Sequence, residues 1–170
     1  AINLDESSGM RDLISELDAS GELLCIEKEV DPLFELAAVT KAVQHASNQT
    51  VLFENVKGSE FPTVTNIYNS RQRLCRLVGS EPDGFCPRWN DLHEQTPSRL
   101  GSESKTIDRP TDLADIKIGD LPLITYHERD AGPYFTSALF LAKHPETGVE
   151  NLSFHRAMYV SDQELRIRLG

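Results

Sequence analysis

The chain has 170 residues, 39% hydrophobic and 26% charged, a globular composition that can bury a core without disulfide or metal staples. Its formal net charge of −10 argues against nucleic acid as a partner, because neutralising phosphates needs clustered Lys and Arg. Cys25, Cys75 and Cys86 form an odd set without CxxC spacing, which favours neither a disulfide framework nor a thiolate metal site and suits a reducing cytoplasm.

Met10, Leu13, Ile14 and Leu17 recur at helical spacing and predict an amphipathic helix that Ser20-Gly21 stops. Leu23 to Val30 reads as a strand. Asp31-Pro32 then reads as an N-cap followed by proline at the first helical position, opening a helix through Leu33, Leu36, Val39 and Val43 to about Ser47. Val51–Val56 and Thr63–Ile67 are expected as short strands around the Lys57-Gly58 turn, and Ser70–Val78 as a helix closed by Gly79. This alternation suggests an α/β layer over about the first hundred residues. From Ser80 to Arg109 the sequence reads as a connector, with Pro82, Pro87 and Pro97, a loose helical stretch around Trp89–Gln95, and Trp89 in a packing role.

After Pro110 the texture changes. Ile116–Ile118, Leu121–Tyr126, Tyr134–Ala142, Asn151–Val160 and Leu165–Leu169 are strand-like, broken by Gly132-Pro133, His144–Gly148 and Ser161–Glu164, and predict an antiparallel meander. Ending on a strand leaves an edge unpaired, so the expected sheet is incomplete, either continued by further polypeptide or finished by a second copy. Apolar runs such as Ser137–Ala142 fall far short of the roughly 20 residues that span a bilayer. The acidic opening Ala1–Glu6 has no signal-peptide pattern.

The segment Asn151-Leu-Ser-Phe-His-Arg156 carries the most chemistry. Alternation puts Asn151, Ser153 and His155 on one face, and Leu152, Phe154, Arg156 and Met158 on the other. Three polar groups in a row suit a phosphate or a metal. An arginine among large apolar side chains is costly unless its guanidinium meets an anion, the plain alternative being a half-solvated strand with Arg156 reaching to the rim. Other candidates read as structure. His127-Glu-Arg-Asp130 has the texture of a solvated loop, and His45, His93 and His144 lack partners at ligand spacing. Gly79–Gly84 is a turn without a phosphate-loop pattern, and Ser153 with His155 lacks a nucleophile elbow.

Asn-x-Ser-x-x-Arg on a strand, preceded by Gly132-Pro-Tyr-Phe-Thr136 and the hairpin Lys143-His-Pro-Glu-Thr-Gly148, resembles the hallmark of the UbiD family of prenylated-FMN-dependent decarboxylases. Met10-Arg-Asp-Leu-Ile14, Val30-Asp-Pro-x-x-Glu-Leu36, Phe53-Glu-Asn-Val-Lys-Gly58 and Leu121-Pro-Leu123 extend the likeness to the family's N-terminal portion.

The resemblance implies an α+β protein: an N-terminal α/β domain with connector over 1–109, then, over 110–170, the first strands of an antiparallel split β-barrel of the flavin reductase-like kind. It implies reversible non-oxidative decarboxylation of an aromatic or α,β-unsaturated carboxylic acid, prenylated FMN supplied by a prenyl-FMN synthase, Mn²⁺ or Mg²⁺ with K⁺ as a further ion, and a homo-oligomer. Asn151 would hold the metal, whose remaining ligands, like the acidic residues flanking the arginine, lie beyond Gly170. Ser153, Phe154, His155, Arg156, Arg168, Leu169 and Gly170 would line the cofactor, and Arg156 would orient the substrate carboxylate. Because Asn151 and Arg156 fall on opposite faces, a bulge between them or a cofactor spanning the sheet edge is required. The alternatives are a non-catalytic flavin-phosphate-binding or assembly module, and a flavin reductase-like protein.

Overall fold

The computed structural model describes residues 9–95 and 116–168. Helix α1 (Met10–Ala19) packs its single buried residue, Leu17, toward strand β1 (Leu23–Ile26). β1 runs parallel to β2 (Thr50–Phe53), which pairs antiparallel with β3 (Thr63–Thr65), giving the order β1-β2-β3. Helix α2 (Glu35–Ala46) makes the crossover between the two parallel strands. The expected strand ends at Ile26, and Val30 contributes only an isolated bridge to Val56.

One core holds this layer together. Leu36 of α2, Val51 and Phe53 of β2, Val30 and Val56 are buried, and Ile124 joins them from the other half of the chain. Each such side chain contributes roughly 1.5–3 kcal/mol through burial. Phe53→Ala, which leaves the largest void, would cost about 3–5 kcal/mol.

Helix α2 starts later than Asp31-Pro32 suggests. Asp31 Oδ1 accepts from the Leu33 amide at 2.9 Å and closes a side-chain turn, while the helix N-cap is Phe34, held at φ 70°. A tertiary bridge explains the delay: Leu33 pairs with Thr125, the Phe34 amide donates to Thr125 O at 3.0 Å, and the Thr125 amide donates to Pro32 O at 3.1 Å. Residues 32–34 are committed to bridging another segment before the chain can coil.

Helix α3 (Arg71–Val78) matches expectation at both ends. Ser70 Oγ accepts from the Arg73 amide, and Gly79 caps the C-terminus at φ 68°, where a Cβ would be strained. Arg73 is buried, donating to Glu22 at 3.2 Å and to the carbonyls of Asn66, Ile67 and Asn48 at 2.7–3.3 Å. It ties α3 to the loops at one end of the sheet. The expected connector begins as ordered structure: a 3₁₀ turn (Pro82–Gly84) leads into α4 (Phe85–Gln95). Pro87 is tolerated because it sits in the first turn, where amides lack intrahelical acceptors. Trp89 is 56% exposed and stacks on Phe85 at 6.0 Å, so it packs on the surface and not in a core.

The second half is an antiparallel sheet in the order β4-β5-β6, formed by β4 (Tyr134–Lys143), β5 (Glu150–Ser161) and β6 (Glu164–Ile167). The meander stands, but its expected first two strands do not. Ile118–Asp120 is a 3₁₀ turn, and 121–126 contributes only the Thr125 bridge, because it runs out to complete the first core through Ile124. The turn is latched to the β5–β6 hairpin. The Gly119 amide and the Tyr159 hydroxyl both donate to Asp162 Oδ1, at 2.9 and 3.1 Å, and a Cβ on Gly119 would meet that oxygen at 2.7 Å. Partial desolvation, and then the Asp162 hydrogen bond, hold the Tyr159 phenol above its ordinary range. Among the described residues, no helix is long and apolar enough to cross a membrane.

Candidate functional site

Strand β5 keeps an unbroken register with β4 from Glu150↔Lys143 to His155↔Ala138. Asn151, Ser153 and His155 therefore share one face. Ser153 Oγ and His155 Nε2 are 2.9 Å apart, and the His155 ring stands edge-on to Phe140 at 5.8 Å. This polar row is graded in exposure: Asn151 is exposed near the hairpin, while Ser153 and His155 are half-buried and Ala157 is buried. A hard amide oxygen beside a hydroxyl and an imidazole matches the donor chemistry of a phosphate–metal pair. Among the described residues, no three His, Cys, Asp or Glu side chains converge as a metal cluster.

The opposite face carries Leu152, Phe154 and Arg156, with Leu139 across from Phe154 and Leu141 across from Leu152. The arginine is exposed and not embedded: Phe154 is 75% exposed and Leu141 69%, so nothing desolvates the guanidinium within the described residues. Apolar side chains at 139, 141, 152 and 154 next to a cation make a surface suited to a planar, partly anionic molecule.

The expected bulge exists but lies on the neighbouring strand. Phe135 pairs with Ala157 and Ala138 with His155, so Thr136 and Ser137 together stand opposite Arg156 alone. β5 itself stays regular over 150–156, and Asn151 and Arg156 remain on opposite faces. What joins the faces is an edge: β6 pairs with β5 only from Ala157 onward, so among the described residues no strand flanks 150–156 on that side. Arg168 follows β6 directly and is exposed, whereas Leu169 and Gly170 lie outside the described residues.

Residues 14–92 match the family model described as the 3-octaprenyl-4-hydroxybenzoate carboxy-lyase N-terminal domain, and 102–170 match that of the Rift-related domain of the same carboxy-lyase. The chain belongs to the UbiD family. It is similar to an anhydromevalonate phosphate decarboxylase from Methanothermobacter thermautotrophicus, 30% identical over 90% of this chain and 35% of the relative. It is also similar to an evolved dimeric form of the UbiD-class enzyme HmfF from Pelotomaculum thermopropionicum, solved with prFMN: 32% identity, TM-score 0.79, 96% of this chain and 38% of that one. The apo 3,4-dihydroxybenzoic acid decarboxylase AroY of Klebsiella pneumoniae shares the fold at TM-score 0.79 and 24% identity, over 94% of this chain and 36% of that one. The chain thus spans little more than a third of the length of these UbiD relatives.

The remaining candidates are structural. The His127 amide donates to Asp130 Oδ2, and the Asp130 amide donates to His127 O, both at 3.0 Å, closing that loop on itself. His144 Nδ1 accepts from the amides of Glu146 and Thr147 at 3.2 Å and caps the hairpin turn. The Cys25 thiol is pushed up by partial desolvation and by Asp18, Glu54 and Glu27, which disfavours the thiolate a nucleophile needs. Sequence reasoning missed Tyr126, Thr136 and Ser137. The only signal for the last two was a pair of small hydroxyl residues interrupting the aromatic and aliphatic pattern of β4.

Proposed function

We propose that this UbiD-family protein is a prenylated-FMN-dependent carboxy-lyase that reversibly decarboxylates an aromatic or α,β-unsaturated carboxylic acid. The observation that carries the reading is the arrangement along β5: a polar row at Asn151, Ser153 and His155 on one face, Arg156 beside apolar side chains on the other, and between them a strand edge that is open among the described residues.

In this reading Asn151, Ser153 and His155 would hold the phosphate end of the cofactor, and the Asn151 amide oxygen would hold Mn²⁺ or Mg²⁺. Phe154 and Arg156 would face its ring. Five residues separate Asn151 from Arg156, about 17 Å at the rise of a strand, so a molecule held at both would have to pass the edge of β5. Backbone groups along an unpaired edge are free to hydrogen-bond what lies there. Arg168 closes the ring end.

When bound, prenylated FMN supplies the electron sink for the pair released as CO₂ leaves. The chain's own residues orient and exclude. The Arg156 guanidinium presents a fixed fork to the substrate carboxylate, which a lysine cannot reproduce. Leu152, Phe154 and Leu139 cover the ring side with apolar surface, where charge interactions act in low dielectric once water is displaced. The same proposal includes a homo-oligomer, supported by the dimeric form of the HmfF relative, a cytoplasmic location, and a prenyl-FMN synthase as cofactor supplier.

The test is reconstitution of the complete polypeptide with a prenyl-FMN synthase. The proposal expects a modified-flavin absorption spectrum and CO₂ release from members of a panel of unsaturated and aromatic acids. Bound unmodified FMN with neither release nor exchange of CO₂ would overturn it.

A further inference from the structure

The irregularity in the β4–β5 ladder falls opposite Arg156 and nowhere else along that pairing. Phe135 and Ala138 both pair with residues of the His155 face, so the two bulged residues between them, Thr136 and Ser137, project toward the Arg156 face. Both are exposed. Behind them, Tyr126 places its hydroxyl 3.2 Å from Thr136 Oγ1. Tyr126, Thr136 and Ser137 line a groove of about 1260 Å³ that also takes in Phe34, Tyr68 and Tyr134.

These observations need a common explanation. A bulge forfeits ladder hydrogen bonds, and it recurs where a side chain must be re-aimed beside a functional group. The re-aimed side chains here are two hydroxyls. Tyr126 and Thr136 share one hydrogen bond, which leaves one O–H free to donate and lone pairs free to accept. That is a neutral, two-way hydrogen-bonding site across the ladder from the Arg156 cation, in the lining of an aromatic groove.

We propose that Thr136 and Ser137, backed by Tyr126, form a specificity subsite beside Arg156 that receives a hydroxyl or other neutral oxygen substituent of the substrate. The inference rests on the carboxy-lyase reading and deepens it: Arg156 takes the carboxylate, and the bulge selects acids that carry a second oxygen. Acids lacking that oxygen leave the hydroxyls to water and gain nothing from them.

The experiment compares one turned-over hydroxylated acid with its deoxy counterpart, using the complete prenylated-FMN-loaded protein and the variants Thr136→Val, Ser137→Ala and Tyr126→Phe. Acid binding is measured in parallel by calorimetry, so that the subsite is read without turnover. The expected result is a rise of about three- to tenfold in KM and Kd for the hydroxylated acid in Thr136→Val, the loss of one net hydrogen bond. A smaller rise is expected in Tyr126→Phe, with kcat and the deoxy acid unchanged in both. Equal weakening of both acids, which a merely structural role would give, overturns the subsite, and so does no change in either. If the wild-type protein turns over neither acid, the carboxy-lyase reading fails. Unequal binding of the two acids in calorimetry would still support the subsite.

Discussion

Ser153 and His155 are two residues apart on one face of β5, and their side chains meet at 2.9 Å. The contact fixes the imidazole beside Asn151's end of the strand, with Phe140 against its ring. If this row holds a flavin phosphate, Ser153→Ala loses one hydroxyl and frees the ring. FMN binding to the complete protein, followed by flavin fluorescence, should weaken about two- to tenfold. Unchanged affinity would remove the row from the cofactor site.

Arg73 is the structural counterpart of Arg156: the same residue type, buried and fully engaged. Arg73→Ala leaves the carbonyls of Asn48, Asn66 and Ile67 without this donor, while Glu22 keeps its contact with Arg76. Urea denaturation should show a loss of about 2–4 kcal/mol, from the backbone carbonyls left unpaired and the packing of the long side chain. Arg73→Lys should recover only part, because one ammonium cannot reach the same spread of acceptors.

Lys57 donates to Asp31 at 2.8 Å, and that hydrogen bond is the main reason the Asp31 carboxyl lies below its ordinary value, with the Leu33 amide second. A lowered carboxyl pKa stabilises the fold above the unfolded value, about 3.9, and that contribution fades as pH falls through the lowered value. The Lys57 ammonium, raised by the same partner, contributes below the unfolded lysine value and fades as pH rises through its raised one. Thermal melts of Asp31→Asn should therefore show less loss of stability on acidification than wild type. Parallel curves would contradict the assignment.

Gly119→Ala places a methyl group against Asp162 Oδ1 and Tyr159 OH. The carboxylate can swing away, so the cost is the latch and not the fold: about 1–2 kcal/mol, the two hydrogen bonds Asp162 receives. A spectrophotometric titration should then find the Tyr159 phenol closer to its ordinary range.

Much of this architecture was legible in local chemistry, and the misses share a cause. Ser70 and Gly79 bound α3 because caps act within a few residues. Asp31-Pro32 misled because Leu33 and Phe34 answer to Thr125, about ninety residues away in sequence. Leu121–Tyr126 looked like a strand for a related reason: its apolar side chains fill a core, with Ile124 buried against Leu36 and Phe53, and do not build a ladder. At the site, alternation gave the two faces of β5 correctly. It could not show that the bulge would fall on β4, because bulge placement is a property of a pair of strands.

The central claim is that Arg156 acts on the substrate carboxylate in a prenylated-FMN site. Its most direct test is CO₂ release by the complete, cofactor-loaded protein, wild type against Arg156→Ala, with the flavin spectrum recorded on the same samples. The account predicts a rate loss of about 100-fold or more, the scale for removing a group that stabilises developing charge, with the flavin still bound. CO₂ release in Arg156→Ala at the wild-type rate, from equally loaded protein, would contradict it.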